Sequence, residues 1–168
     1  AGYFPVAEQK IQDFYTEKYG VVHPTKAGLK IPEIFDAAIN KEVKGLWIIG
    51  EDIVQTDPNS NHVIQAMEAL DLLVVQEIFM SETAKYAHVV LPGTTFLEKD
   101  GTFTNTERRV QRVNRAAEPL PGTKPDGVIV TDMMQKLGYD QKTYDADEVL
   151  AEIADIVPFF KGITRERL

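Results

Sequence analysis

Hydrophobic positions along the chain follow two different periods. Three short apolar runs, Gly45–Ile49 (GLWII), Leu72–Gln76 (LLVVQ) and His88–Leu91 (HVVL), are too short for helices and read as buried strands, the first closed by Gly50 and the last by Pro92-Gly93. Between the first two, Asp57-Pro58 is a helix-start signal, and Val63, Ile64, Met67 and Leu70 then recur at helical spacing. A shorter helix is expected over Ser81–Tyr86. Strand, helix, strand, helix, strand at this spacing predicts an α/β fold with a parallel sheet and right-handed crossovers.

The flanks are mostly helical. Residues 5–19 predict a helix started by Pro5 and stopped by Gly20, with Val6, Ile11, Phe14 and Tyr15 near one face. A loop over 21–30 follows, then a helix over Pro32–Asn40 with Ile34, Phe35 and Ala38 inward. Residues 101–114 (GTFTNTERRVQRVN) read as irregular strand or hairpin because of their threonines and the Asn105 turn signal. Helices are expected from about Pro125 to Leu137, capped by Gly138, and from about Asp145 to Ile156, with Val149, Leu150 and Ile153 inward and Pro158 as the stop. With no repeat and no low-complexity segment, residues 1–168 read as one domain.

Composition narrows the chemistry. The chain carries 26 acidic and 18 basic residues for a net charge of −8. That surface argues against a general nucleic-acid binder, which neutralises phosphates with Lys and Arg. No apolar run approaches the ~18 residues of a membrane span, and Ala1–Glu8 lacks the basic-then-apolar order of a signal peptide. There is no cysteine, so disulfides, thiolate zinc sites, a cluster ligated by this chain and a cysteine nucleophile are all excluded. His23, His62 and His88 lack ligand spacing, so no metal site is expected. No histidine is paired with Ser81, Thr83 or Thr94, which leaves a serine-hydrolase triad without support. Asp145 and Asp147 read as helix-start electrostatics.

The polar positions that remain sit at strand ends, where doubly wound sheets bind ligands. In Gly50–Thr56 (GEDIVQT) a glycine lets a phosphate or ring approach the backbone, and Asp52 and Thr56 can hold polar atoms of a nucleotide. An ordinary strand–turn–helix with a capping Asp or Thr fits the same residues. Gln76-Glu77 ends the next strand, near the spacing at which dinucleotide folds place an acid for ribose hydroxyls. Asp126 opens a helix. Its carboxylate matches the two adjacent donors of a guanine edge, but the residues alone favour a helix cap or first-turn acid. Glu107–Arg112, with Arg115, is a basic stretch in an acidic chain; alternation along a strand sends Arg108 and Arg112 to one side and Arg109 to the other, as a solvated face, an interface, or contacts to phosphates or to Glu107 and Glu98.

Two long runs, VVQEIFMSETAKYAHVVLP and FLEKDGTFTNTERRVQRV, within a stretch from Leu46 to Val113, together with TKPDGVIVTDMMQKLGY and FFKGITRERL, resemble the catalytic subunits of formate dehydrogenases in the molybdopterin oxidoreductase superfamily. The resemblance implies a Rossmann-like, doubly wound, mainly parallel sheet flanked by helices, one of two such domains that each bind one molybdopterin guanine dinucleotide. In the family the two dinucleotides together hold a single molybdenum or tungsten ion. The resemblance carries cofactor contacts onto Gly50, Asp52, Thr56, Gln76, Glu77, Ile78 and Gly93, and a guanine contact onto Asp126. At position 77 the family often has Asp; Glu keeps the carboxylate but shifts its reach.

The same resemblance implies that the catalytic residues lie elsewhere. The metal-ligating Cys or selenocysteine with its His, the Arg near the metal, and the cysteines of a 4Fe-4S cluster are upstream in the family. The chain is thus expected to be a segment of a larger cytoplasmic subunit that oxidises formate to carbon dioxide through iron–sulfur centres, and to turn over no formate alone. Its expected partners are the other domains of that subunit and iron–sulfur or NAD-linked electron-transfer subunits. A nitrate reductase, a respiratory NADH dehydrogenase subunit, or a non-catalytic nucleotide-binding module are the alternatives.

Overall fold

The structure, a computed structural model, describes residues 4–168, so the first three residues of the N-terminal reading lie outside it. The chain divides into two compact units, one ending at Ile34 and one from Phe35 to Leu168.

In the first unit the expected helix is present as α1 (Gln9–Tyr19) but starts later than Pro5, because the Pro5 carbonyl is taken by the Glu8 N–H in a preceding turn. Gly20 stops it as expected, in the left-handed region at φ 68°, with its N–H on the Thr16 carbonyl. The inward residue is polar. Gln12 is buried and its amide donates to the Val6 and Pro24 carbonyls at 2.9 and 3.3 Å, whereas Val6 and Phe14 are exposed. Tyr15 is the centre of an aromatic cluster with Phe4, Phe14, Tyr19 and His23 at ring distances of 5.3–5.9 Å.

The second unit is built on strands β1 (Gly45–Ile49), β2 (Leu72–Glu77) and β3 (Val89–Pro92), which form a parallel sheet in the order β1-β2-β3. The α/β class, the parallel sheet and its helical flanks are those expected. Register sets Ile48, Val75 and Val90 side by side on one face, with Leu46 and Leu73 two residues back. That face is closed by Phe35 and Ala38 of α2 (Ile31–Ile39), Val54 of the short α3 (Ile53–Thr56), Val63, Ala66 and Met67 of α4 (Ser60–Ala69), and Ala84 of a 3₁₀ turn over Thr83–Tyr86. Sequential order with crossovers of one hand puts these connections on one side. The other face is less covered than the buried-strand reading expected, and Ile49, Leu72 and Val89 stay 43–48% exposed.

Helix α4 begins at Ser60 rather than at Asp57-Pro58, since the Asp57 carboxylate accepts from the Asn59 N–H in a turn and Asn59 is the cap. Past the sheet, β4 (Gly101–Thr104) and β5 (Val110–Val113) pair antiparallel as the expected hairpin. The alternation assigned to the arginines does not apply to two of them: Arg108, at φ 63°, and Arg109 both lie in the connection between β4 and β5, and only Arg112 is in a strand. Helix α5 (Asp126–Lys136) and helix α6 (Ala146–Ile156) complete the unit, α6 capped by the Asp145 carboxylate on the Asp147 and Glu148 N–H groups. Of the residues expected inward on α6, Leu150 is buried and Val149 is 38% exposed. Among the described residues no helix is long and apolar enough to cross a membrane.

Candidate functional site

The carboxyl ends of the three strands lie side by side, and the candidate residues divide between them. At the end of β1, Gly50 takes φ 62° and donates its N–H to the Gln76 carbonyl at 2.9 Å. Asp52 is turned back into the protein. Its Oδ1 accepts from the Thr83 hydroxyl at 2.6 Å and the Thr83 N–H at 2.9 Å, and its Oδ2 accepts from the Glu82 N–H at 3.3 Å. Thr83 is fully buried and its hydroxyl oxygen accepts in turn from the Val54 N–H at 3.1 Å. Burial pushes the Asp52 carboxyl up, but these hydrogen bonds and the Lys85 charge outweigh it and hold the group below its ordinary value. Thr56 donates to the Glu51 carboxylate at 2.8 Å on the surface.

The ends of β2 and β3 are arranged differently. Gln76 is 1% exposed, and its amide nitrogen donates to Asp126 Oδ1 at 2.8 Å. Asp126 is brought there by a parallel bridge between Gly93 and Lys124, which lays the segment before α5 along the end of β3. Gly93 lies close under the contact: a Cβ would stand 3.1 Å from Asp126 Oδ1, so the carboxylate would have to give by a few tenths of an ångström, and 3.7 Å from Ile78 Cγ2 in ordinary contact. Glu77 folds onto the next residue, accepting from the Ile78 N–H at 2.7 Å, and Ile78 is 44% exposed. Lys99 ion-pairs with Asp126 Oδ2 and donates to the Thr94 carbonyl at 3.2 Å. Burial raises the Asp126 carboxyl, while hydrogen bonds from Lys99 and Gln76 and the Lys99 charge lower it by more, so it is ionised below the ordinary carboxylate value.

Two buried oxygens in this cluster have no partner, Gln76 Oε1 and Thr94 Oγ1. Most buried polar atoms are paired, so an orphan needs an explanation. Asp126 occupies the first turn of α5 but does not cap it; Pro125 holds the cap position and makes no side-chain bond. The first-turn half of the helix reading is therefore met and the capping half is not. The structure thus gathers Gln76, Glu77, Ile78, Gly93 and Asp126, links them to Gly50 through the sheet, and leaves Asp52 and Thr56 on protein partners. It also adds Lys99 and Thr94, which strand-end reasoning missed. A lysine three residues beyond the 3₁₀ turn start at Phe96 carries no spacing signal of its own; only the fold places it.

The remaining sequence candidates fall outside this cluster. His62 pairs with Asp36 at 3.0 Å on the helix surface, and His88 Nδ1 accepts from the Leu73 N–H at 2.9 Å, where it ends the β2–β3 ladder. Glu98 is spent in a capping box, accepting from the Thr95 N–H and hydroxyl and from the Leu120 N–H. No cluster of three His, Cys, Asp or Glu able to hold a metal occurs among the described residues.

A sequence model of the family described as molybdopterin oxidoreductase matches residues 15–136, and the chain belongs to that family. The alpha subunit of the F420-dependent formate dehydrogenase of Methanocaldococcus jannaschii is 44% identical over 166 residues, covering 95% of this chain and 24% of that protein. A Staphylococcus haemolyticus protein provisionally named a formate dehydrogenase is 41% identical over 167 residues, covering 99% of this chain and 17% of its own length. Among solved structures, acetylene hydratase from Pelobacter acetylenicus shares the fold, with a TM-score of 0.67 at 20% identity over 96% of this chain and 23% of that one. The chain therefore spans between 17% and 24% of the length of these three proteins.

Proposed function

We propose that residues 1–168 form a molybdopterin guanine dinucleotide-binding domain of a formate dehydrogenase catalytic subunit, and that the cluster around Asp126 receives the guanine end. The observation that carries this reading is the half-satisfied polar floor at the ends of β2 and β3. Gln76 Oε1 and Thr94 Oγ1 are buried without partners, beside a carboxylate whose side chain is 40% exposed. An ionised carboxylate has about four acceptor sites. Two are occupied by Gln76 and Lys99, which leaves acceptors for the paired donors of a guanine edge. Gly93 fits the same role, since a Cβ there would press on the Asp126 carboxylate.

The residues present fit the cofactor. Gly50, Glu77, Ile78 and Gly93 would line its path along the strand ends, Gln76 and Asp126 would hold the base, and Asp52 and Thr56 would shape the first loop. When bound, the pterin-held molybdenum or tungsten supplies the two-electron chemistry of formate and carbon dioxide. This chain's own contribution is binding and orientation. The catalytic residues, a 4Fe-4S cluster and the electron-transfer partners would belong to the rest of a cytoplasmic enzyme.

The test is Asp126→Ala in the full-length subunit, with pterin and metal content measured on purified protein. Content is expected to fall severalfold while the protein stays folded. Full cofactor content in the variant would remove the guanine assignment. Formate-dependent dye reduction by the full-length subunit tests the reaction class separately.

A further inference from the structure

The β4–β5 hairpin contributes no residue to the cluster around Asp126, and it is left bare. Pairing of Thr102 with Arg112 and of Phe103 with Gln111 puts Phe103 and Gln111 on one face and Thr102, Thr104 and Arg112 on the other. Exposed residues lie on both faces, Phe103 and Gln111 on the first and Thr102 and Thr104 on the second. A two-stranded ribbon without cover is marginally stable in water. The tip is nonetheless tightly made. The Asn105 side-chain oxygen accepts from the Arg109 N–H at 2.9 Å, the Asn105 carbonyl accepts from the Arg108 N–H at 2.9 Å, and the Arg109 carbonyl accepts from the Asn105 N–H at 3.1 Å. This turn holds Arg108 at φ 63°, a conformation that glycine adopts at no steric cost. An arginine kept where glycine is easier points to a use for its side chain.

We propose that the hairpin is a docking arm whose Arg108 and Arg109 pair with carboxylates on another domain of the same parent subunit, an inference that rests on reading the chain as a segment of a larger subunit. Arg112 and Arg115 are engaged by Asn114 and Glu118, but no carboxylate among the described residues pairs with Arg108 or Arg109. Glu98, a partner the sequence offered, is spent on Thr95 and Leu120. Two free guanidinium groups at the tip and an exposed phenyl ring at Phe103 are the residue types that anchor protein interfaces. The net charge of −8 disfavours a polyanion as partner. Carboxylates on a folded surface are the complement, and the arginine fork matches them in geometry. The cover belongs to the same polypeptide, because a bare ribbon needs it continuously and not in passing encounters. The chain spans 17–24% of the length of its relatives, which leaves most of such a subunit to supply it.

Hydrogen exchange of peptides covering the hairpin is measured by mass spectrometry on the full-length subunit, purified as holoenzyme. Slow exchange is expected in the unsubstituted subunit. Arg108→Gly combined with Arg109→Gln relaxes the turn while removing both charges, and is expected to speed exchange about tenfold or more through loss of the charge pairs. A turn without a partner predicts no acceleration, since glycine relieves the strain at 108. If the double variant does not fold, Arg109→Gln alone carries the same expectation. Arg108→Lys keeps the charge and supplies an amine, so a carbodiimide, which condenses an amine with a carboxylate touching it, is expected to join position 108 to an Asp or Glu of the same polypeptide outside residues 1–168. Exchange as fast in the unsubstituted subunit as in the variant would overturn the docking arm. So would the lack of any cross-link beyond residues 1–168 of the same polypeptide, including one made only to a separate subunit. Either result leaves the dinucleotide reading to be decided by the cofactor content of the Asp126→Ala protein.

Discussion

The end of β1 and the ends of β2 and β3 occupy equivalent places in the sheet but have opposite hydrogen-bond balances. At β1 the loop is closed on itself: Asp52 holds Thr83 and Glu82, Thr83 holds Val54, and Thr56 holds Glu51. At β2 and β3 the network is left open, with Gln76 Oε1 and Thr94 Oγ1 buried and unpaired and Asp126 partly exposed. A closed network stabilises the fold, whereas an open one has acceptors to offer a ligand. Strand-end position alone does not make a binding residue. What distinguishes the two is whether the protein has already used the acceptors.

The largest expected effect falls on the closed end. Asp52→Ala strands the buried hydroxyl and N–H of Thr83 and is expected to cost about 2–3 kcal/mol in urea unfolding. Asp52→Asn, which keeps one acceptor oxygen, should cost less. A loss below ~0.5 kcal/mol for the alanine variant would show that the carboxylate is not a structural clamp and would erase the contrast between the two ends.

Acid sharpens the contrast next. Asp52, Asp126, Glu98 and Glu166 all have folded-state values below their ordinary ones. A depressed carboxyl contributes stability that is present above its unfolded value and is lost as pH falls through its folded value. Stability is therefore expected to be flat near neutrality and to decline below about pH 4. The decline should be shallower in Asp52→Ala, which lacks one of these groups. An equally steep acid limb in that variant would show that the loop carboxylate is not linked to folding.

Asp126→Asn should change stability by about 1 kcal/mol or less, since its ion pair with Lys99 is partly exposed, even as it lowers cofactor content in the full-length subunit. The smallest effect is expected at Thr56→Ala. Its bond to Glu51 is exposed, and the change in unfolding free energy should stay within about 0.5 kcal/mol. If Thr56→Ala matched Asp52→Ala, the β1 loop would have to be treated as one cooperative unit.

Much of the scaffold was legible because buried strands write themselves as apolar runs. The β1 limits agree with the run GLWII, β2 extends one residue further to Glu77, and β3 begins one residue later because His88 turns its ring to the Leu73 N–H. Glycine stops were equally clear, as at Gly20 and Gly138, both in the left-handed region. Helix starts were less so. Pro5 and Asp57-Pro58 carry start signals, yet local turns use those groups first, and the four-residue α3 is too short to show a period.

The candidate site was legible as residue types and not as an arrangement. Asp52 and Asp126 look alike in sequence, both acids at the mouth of a helix, and only their partners separate them. Gln76 and Asp126 meet across fifty positions, and Lys99 reaches the same place from a further segment. The sequence by itself determined the secondary-structure order, the parallel sheet and the absence of a thiolate, since these depend on local periodicity and composition. Tertiary structure decided which carboxylate was spent and which was left available, because that depends on which donors from distant segments are packed against each one.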